Sequence, residues 1–193
     1  HPVFCVPSGN FGNLTAGIYA AQWGLPVEQF VAATNTNNVV PEFMEKGIYS
    51  PRASVSTLSN AMDVGAPSNF ERLNRLFDGN VKNFRSHMAA DWVSDRDTEM
   101  TMTRMYREQN YLMCPHTAVG YLAAERYLKV HKNSSVISLS TAHPGKFVEV
   151  VDKVLGIKPE LPPALQALIN REKKSIPVEN RVDEIKTYLK SHF

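Results

Sequence analysis

The segment from Ser8 to Asn13, which reads Ser-Gly-Asn-Phe-Gly-Asn, has the composition of a loop that binds an anion. It follows an apolar run and precedes a helical pattern, so its two glycines lie between a strand and a first helical turn. Backbone amides at such a place point at one spot, where the helix dipole favours negative charge. The segment lacks the lysine and hydroxyl of a P-loop and does not fit GxGxxG. Its residues leave two interpretations open, a phosphate site and a bare structural turn.

A second group of polar residues follows the last apolar run, at Ser140 and Thr141. Open α/β sheets bind ligands at the carboxyl ends of their strands, where a hydroxyl can bond a ring nitrogen without supplying charge. The alternative is that both hydroxyls cap the following helix. We expect His116 and His143 to be structural histidines with satisfied polar atoms rather than catalysts. Lys146 is open to the same interpretation, as a solvated cation in a first helical turn.

Two further segments, Asn35–Asn38 and Thr57–Asp63, are dense in hydrogen-bonding groups within apolar surroundings. Buried polar groups need partners. Either these segments satisfy one another across the strand ends, or they line a pocket for a polar metabolite.

The elements that position these groups alternate along the chain. Apolar runs at Pro2–Pro7, Phe30–Ala33 and Val136–Leu139 predict strands buried on both faces. Between and after them, helical patterns are predicted at Leu14–Trp23, Phe70–Phe77 with a Ser68/Glu71 capping box, Thr98–Gln109, a helix opening at Pro115, and Phe147–Leu155. Gly79–Asp97 predicts a loop with short elements. This order predicts an α/β fold with an open, mostly parallel sheet flanked by helices, and C-terminal helices after it.

Composition excludes several classes of protein. The 193 residues are 43% hydrophobic with a net charge of +2, which gives no support for a nucleic-acid or membrane partner. Apolar runs are too short to span a bilayer. The two cysteines lack CxxC spacing, so we expect no metal site, and with no signal peptide they fit a reducing cytoplasm. The partner we expect is a small molecule.

Taken in order, the polar motifs resemble those of threonine synthase. The resemblance runs from about Val3 to about Leu155. It rests on Val6-Pro7-Ser8-Gly9-Asn10-Phe11-Gly12-Asn13, Ala33-Thr34-Asn35, Thr57-Leu58-Ser59-Asn60-Ala61-Met62-Asp63-Val64, Pro67-Ser68-Asn69, Pro115-His116-Thr117-Ala118 and Ser140-Thr141-Ala142-His143-Pro144. Any one of these motifs is weak, but six in order argue against coincidence.

The resemblance implies a fold-type II enzyme dependent on pyridoxal 5'-phosphate, a carbon–oxygen lyase of threonine biosynthesis that acts on a phosphate ester. Its substrates would be O-phospho-L-homoserine and water, and its products L-threonine and phosphate. By the same resemblance, Thr141 would bond the pyridine nitrogen. The cofactor phosphate would be held by Gly9, Asn10, Phe11, Gly12 and Asn13.

In the family the Schiff-base lysine precedes the phosphate loop, and here only a few residues precede that loop. A buried-type strand at the very start also suggests a missing N-terminal half of the same protein. We therefore expect residues 1–158 to be the C-terminal portion of the cofactor-binding domain and residues 159–193 a helical extension packed on it. We assign no catalytic residue, and we expect the chain alone to be inactive, with the cofactor site empty or holding sulfate or phosphate.

The phosphate of the substrate also needs a binding site. By character and position the candidates are Ser54, Ser56, Thr57, Asn60 and Lys146. Three alternatives stay open: another fold-type II lyase acting on cysteine or serine, a non-catalytic phosphate-binding or assembly module that joins a separate subunit, and a proteolytic piece without a role of its own.

Overall fold

The computed structural model describes residues 1–192 and divides the chain into two compact units, the first from His1 to Glu160 and the second from Leu161 onward. The predicted extension, residues 159–193, begins two residues before this division. Its last residue lies outside the described residues.

The first unit is built on a sheet of four parallel strands in the order β3-β2-β1-β4. Cys5 at the centre of β1 lies opposite Val31 on one side and Ser138 on the other. The strands are β1 (Val3–Pro7), β2 (Gln29–Thr34), β3 (Met88–Trp92) and β4 (Val136–Ser138). Since all four run the same way, their carboxyl ends and the loops that follow them lie at one edge of the sheet. The predicted α/β fold with a parallel sheet is confirmed.

Helices connect the strands and cover both faces of the sheet. In the first unit they are α1 (Gly12–Gln22), α2 (Val39–Lys46), α3 (Phe70–Leu76), α4 (Val81–His87), α5 (Asp95–Gln109), α6 (Pro115–Val130) and α7 (Val148–Leu155), with short 3-10 turns at Asn60–Met62 and Pro144–Lys146. The second unit contains α8 (Pro163–Gln166) and α9 (Val182–His192). Among the described residues, no helix combines the length and the apolarity that a bilayer crossing requires.

The core lies on both faces of the sheet because successive strand residues point to opposite sides. In β1, Val6 packs into a cluster with Leu14 of α1 and Phe84 of α4. Cys5, the residue before it, packs with Val119 of α6 on the opposite face. The helices therefore hold β1 in place from both sides, and the loop after β1 starts from a rigid strand.

Two predicted elements differ from the structure. Within 79–97, where a loop with short elements is predicted, the chain forms α4 and then β3, which joins the main sheet by pairing with β2. The run Val136–Leu139 is predicted as a buried strand, but β4 is the outer strand of the sheet and Ile137 is 45% exposed. An apolar run indicates a strand that packs against other residues. It does not indicate whether the strand lies in the centre of the sheet or at its edge.

The capping box predicted at Ser68 and Glu71 is wrong. The helix begins at Phe70, the flanking residue is Asn69, and no side chain caps it. The Ser68 hydroxyl instead hydrogen-bonds the side chain of Asn10, in the loop after β1. Ser68, the residue predicted as the cap, thus links the segment before α3 to the candidate phosphate loop.

Candidate functional site

The loop between β1 and α1 presents backbone amides that have no protein partner. At its two ends, the Ser8 amide donates to the Ala33 carbonyl at 2.8 Å and the Thr15 amide donates to the Phe11 carbonyl at 2.9 Å. Within residues 1–192, no protein acceptor is found for the five amides of Gly9–Asn13. The first turn of α1 contains no acidic residue. These features match a site for an anion at a helix N-terminus.

The side chain of Phe11 and a bend in its backbone hold the loop open. Phe11 has a φ of 62° in the left-handed region, an unusual conformation for an aromatic residue. Its ring is buried in the core cluster that contains Val6 and Leu14. Packing of this ring therefore stabilises a backbone turn in which the neighbouring amides make no bond to a protein acceptor among the described residues.

Gly9 is held against the 3-10 turn Asn60–Met62. A Cβ atom at Gly9 would lie 2.6 Å from the Cα of Met62 and 3.0 Å from the carbonyl oxygen of Ala61, both backbone atoms. At Gly12 the nearest contact would be 3.7 Å, which is ordinary. The first glycine of the loop is thus required by close packing of two backbones, and the second is not.

Asn10 is fixed by its side chain. The Ser68 amide donates to Asn10 Oδ1 at 2.6 Å, and Asn69 Nδ2 donates to the Asn10 carbonyl at 2.8 Å. Since this side chain is occupied by Ser68, the group that Asn10 offers to a ligand is its backbone amide. The contacts with α3 hold that amide in position.

The loop and Thr141 line one cavity of about 220 Å³. Its wall consists of Pro7, Ser8, Gly9, Asn10, Phe11, Gly12, Asn13, Ala61, Met62, His116 and Thr141. The structure therefore brings together the six residues for which a cofactor contact is predicted, although more than 120 positions separate Asn13 from Thr141 in the sequence.

Thr141 is free to face a ligand because other residues make the local caps. His143 Nδ1 accepts from the Gly145 amide at 3.0 Å and so caps the turn Pro144–Lys146. Ser140 Oγ lies 3.1 Å from Thr117 Oγ1. Thr141 itself is exposed and also borders a second cavity of about 660 Å³. The cap of this turn is thus made by His143, and a contact between Thr141 and a ligand stays a prediction.

His116 is a residue of this site that sequence reasoning misses. It is 3% exposed and lines the cavity, yet neither ring nitrogen has a partner among the described residues. The expectation of a satisfied structural histidine is therefore wrong. Desolvation lowers the pKa of His116 to about 4, with a further lowering by Lys146 and an opposing effect of Asp63. The imidazole is thus neutral near pH 7. The sequence signal is its place in the motif Pro115–Ala118.

The polar groups of Asn35–Asn38 and Thr57–Asp63 satisfy one another, and of these two segments only Ala61 and Met62 line the cavity. Asp63 Oδ1 accepts from Asn35 Nδ2 at 2.8 Å, from Asn37 Nδ2 at 3.1 Å and from Thr57 Oγ1 at 2.7 Å. Asp63 Oδ2 accepts from the Thr57 amide at 3.0 Å. This network fixes the segment that carries the turn under Gly9, so it supports the cavity from outside.

None of the five candidates for the substrate phosphate lines the 220 Å³ cavity. The Thr57 hydroxyl is engaged by Asp63 and Asn35. The other four are exposed: Ser54, Ser56, Asn60 and Lys146. A substrate contact at these positions stays a prediction.

Solved structures with this arrangement define a class of protein. The chain superposes on a threonine deaminase from Solanum lycopersicum with a TM-score of 0.56 over 81% of its length at 14% identity, which shows a common fold. The fold is that of the fold-type II pyridoxal-phosphate enzymes. Threonine synthases are much more similar. For the PLP-bound threonine synthase of Brucella melitensis the TM-score is 0.85 at 30% identity over 99% of this chain. For a threonine synthase from Escherichia coli it is 0.79 at 37% identity over 99%.

Sequence comparison gives the same family. The family profile described as "Threonine synthase, C-terminal" matches residues 117–189. The chain is 41% identical to the threonine synthase of Haemophilus influenzae over 187 residues and 44% identical to that of Escherichia coli over 163. These matches cover 97% and 84% of this chain. The chain belongs to the threonine synthase family and corresponds to its C-terminal part.

The chain matches only part of the length of each relative. The chain spans 43% of the Haemophilus influenzae protein and 37% of the Escherichia coli protein. It likewise covers 46% and 44% of the two solved threonine synthases.

Proposed function

We propose that this chain is part of a pyridoxal-phosphate-dependent threonine synthase, which converts O-phospho-L-homoserine and water into L-threonine and phosphate. The observation that carries the proposal is the single cavity lined both by Gly9–Asn13 and by Thr141. The family of the chain supports the same activity.

The residues of the cavity fit a phosphorylated pyridine. Five amides without protein acceptors and the N-terminus of α1 are suited to a phosphate group. The exposed hydroxyl of Thr141 is suited to a ring nitrogen, since it can donate or accept a hydrogen bond. We propose Gly9, Asn10, Phe11, Gly12 and Asn13 as the phosphate contacts and Thr141 as the ring contact.

When bound, pyridoxal phosphate supplies an electron sink for negative charge that develops on the substrate. The residues of this chain bind and orient it. Thr141 is neutral, so it stabilises a protonated ring nitrogen less than a carboxylate would. The first turn of α1 contains no acidic side chain to repel the phosphate.

A lysine that forms the Schiff base is not among the residues that line the cavity. We propose that this lysine, and with it the proton transfers at the substrate carbons, belongs to an N-terminal part of the same protein. The chain alone would then bind a phosphate-bearing ligand without catalysing the reaction. Ser54, Ser56, Thr57, Asn60 and Lys146 are retained as proposed contacts of the substrate phosphate. The two free cysteines, Cys5 and Cys114, fit our proposal of a cytoplasmic location.

The test compares the chain alone with the complete protein that carries it, with O-phospho-L-homoserine as substrate and phosphate and L-threonine as readouts. We expect turnover by the complete protein and none by the chain. Phosphate release by the chain alone would contradict the division of roles. Consumption of L-serine or L-cysteine without consumption of O-phospho-L-homoserine would instead identify another lyase of the same fold.

The role of Thr141 is tested with Thr141→Val, which keeps the shape and removes the hydroxyl. We expect a shift of the cofactor absorbance band and lower turnover in the complete protein. Thr103→Val on α5 serves as the matched control, since Thr103 lines a different cavity. An unchanged spectrum for Thr141→Val would remove the ring contact from the proposal.

A further inference from the structure

His116 combines three properties that the cofactor contacts proposed above leave unexplained. Its side chain is almost fully buried, it lines the cavity between the loop and Thr141, and both ring nitrogens lack a protein partner. Leaving a buried polar group unpaired is costly, so such groups in folded proteins have a partner, whether protein, water or ligand. A partner for His116 has to come from inside the cavity.

Neighbouring residues hold the ring in place without satisfying it. His116 lies in the first turn of α6, after Cys114 and Pro115, where the helix begins. Its ring packs on that of Phe147 with centroids 4.6 Å apart. An apolar contact on one side fixes the plane of the imidazole, and both buried nitrogens stay without a protein partner among the described residues. A hydrogen-bonding ligand would therefore meet a group whose orientation is already set.

Burial of the ring favours its neutral form. Burial is the largest cause of the lowered pKa of His116, Lys146 adds to it, and Asp63 opposes it. Asp63 is occupied by the Asn35, Asn37 and Thr57 donors, so it makes no ion pair with the ring. A neutral imidazole has one donor and one acceptor nitrogen. It can therefore bind a phosphate-bearing ligand by an N–H bond without adding a buried charge.

We propose that His116 is a further ligand-binding residue of this cavity, whose ring N–H donates a hydrogen bond to an oxygen of the phosphate-bearing ligand held by Gly9–Asn13. The proposal rests on the proposed function, because it takes the ligand of that loop as the partner. It adds a side-chain donor to a phosphate site otherwise made of backbone amides. It also explains why a histidine occupies a buried position that an apolar residue could fill.

The test uses the complete protein freed of cofactor and titrated with pyridoxamine 5'-phosphate, a ligand that needs no imine to bind. Calorimetry gives the affinity, and the ¹⁵N chemical shifts of the His116 ring report on its hydrogen bonds in the unmodified protein. We expect one ring nitrogen to shift on titration. We also expect His116→Phe to weaken binding about tenfold or more, as loss of a hydrogen bond to a charged group does.

Two further variants sharpen the result. His116→Gln and His116→Asn place an amide N–H near one or other of the two ring nitrogen positions, and we expect one of them to restore part of the affinity. His131→Phe, the same change at the other end of α6, is the control and should bind as the wild type does. A merely structural role would not distinguish Gln from Asn in this way.

The outcomes separate the two proposals. Normal affinity of His116→Phe together with unshifted ring nitrogens would overturn the role of His116 and leave the proposed function standing. Failure of the wild-type protein to bind pyridoxamine 5'-phosphate would overturn both. Should His116→Phe not fold, the ¹⁵N titration of the wild-type protein still decides, since unshifted nitrogens refute the contact.

Discussion

Gly9 is the residue of the phosphate loop with no room for a side chain. A Cβ there would meet the backbone of Met62 at 2.6 Å, and a backbone contact cannot be relieved by a rotamer change. We therefore expect Gly9→Ala to lower the free energy of unfolding by about 1–3 kcal/mol, the usual cost of overpacking. Gly12→Ala is the matched control, since its nearest contact would be 3.7 Å. Equal stability of the two variants in chemical denaturation would refute the close approach.

His116 makes stability depend on pH. The pKa of its ring is about 4 in the folded state, below the ordinary value of about 6.5, because burial disfavours the charged form. The unfolded chain therefore takes up the proton first. Stability from the neutral ring is present above pH 6.5 and is lost as the pH falls towards 4, by about 3 kcal/mol in total.

The measurement is the free energy of unfolding of the ligand-free protein between pH 7 and pH 4, for the wild type and for His116→Phe. Carboxylates titrate in the same range, so the expected signal is a shallower slope in the variant. His131→Phe, at the other end of α6, is measured as the matched control. Parallel curves for wild type and His116→Phe would show that the ring is not held neutral by burial.

At the scale of elements, the loops at the carboxyl ends of the strands are joined by one carboxylate. Asp63 accepts four hydrogen bonds, from Asn35, Asn37 and Thr57, and this holds the Asn60–Met62 turn beneath Gly9. We expect Asp63→Asn to cost about 2 kcal/mol or more, because the new amide group would face donors and leave some unpaired.

Asp78→Asn is the control for that change. Asp78 is exposed and has a φ of 52°, a conformation that asparagine accepts well. Thermal unfolding should therefore separate the two variants, with a lower midpoint for Asp63→Asn alone. A similar midpoint for both would show that the network contributes little to the fold.

Strands and helices could be predicted from the sequence where the local residue pattern matches the burial that tertiary packing gives them. β1 and β2 are apolar runs in the centre of the sheet, and both are found. β3 was not predictable because Met88–Trp92 has no β-branched residue and includes Asp91, and its pairing with β2 comes from the tertiary structure. In the same way, Ser68 has the spacing of a cap but serves Asn10, a partner 58 residues away. A local sequence pattern carries no information on such a distant partner. For the same reason it could not predict that the ring nitrogens of His116 lack a protein partner.

At the scale of the whole molecule, the first unit has a sheet with two outer strands of different character. β3 carries the charge of Asp91, which pairs with Arg126, whereas β4 is Val136–Ser138 and has no charged residue. Ile137 of β4 is 45% exposed. An uncharged outer strand is a template for pairing with another chain, and charge on such a strand opposes it.

We therefore expect the chain to self-associate through β4, and Ile137→Lys to reduce the weight-average sedimentation coefficient at high protein concentration. Ile48→Lys is the control. Ile48 is 69% exposed and lies after α2, outside β4, so general surface hydrophobicity would make this change at least as effective. Association that falls with Ile137→Lys but not with Ile48→Lys would assign it to the strand. If self-association falls equally in the two variants, it is caused by exposed apolar surface in general. The prediction that β4 mediates self-association would then be wrong.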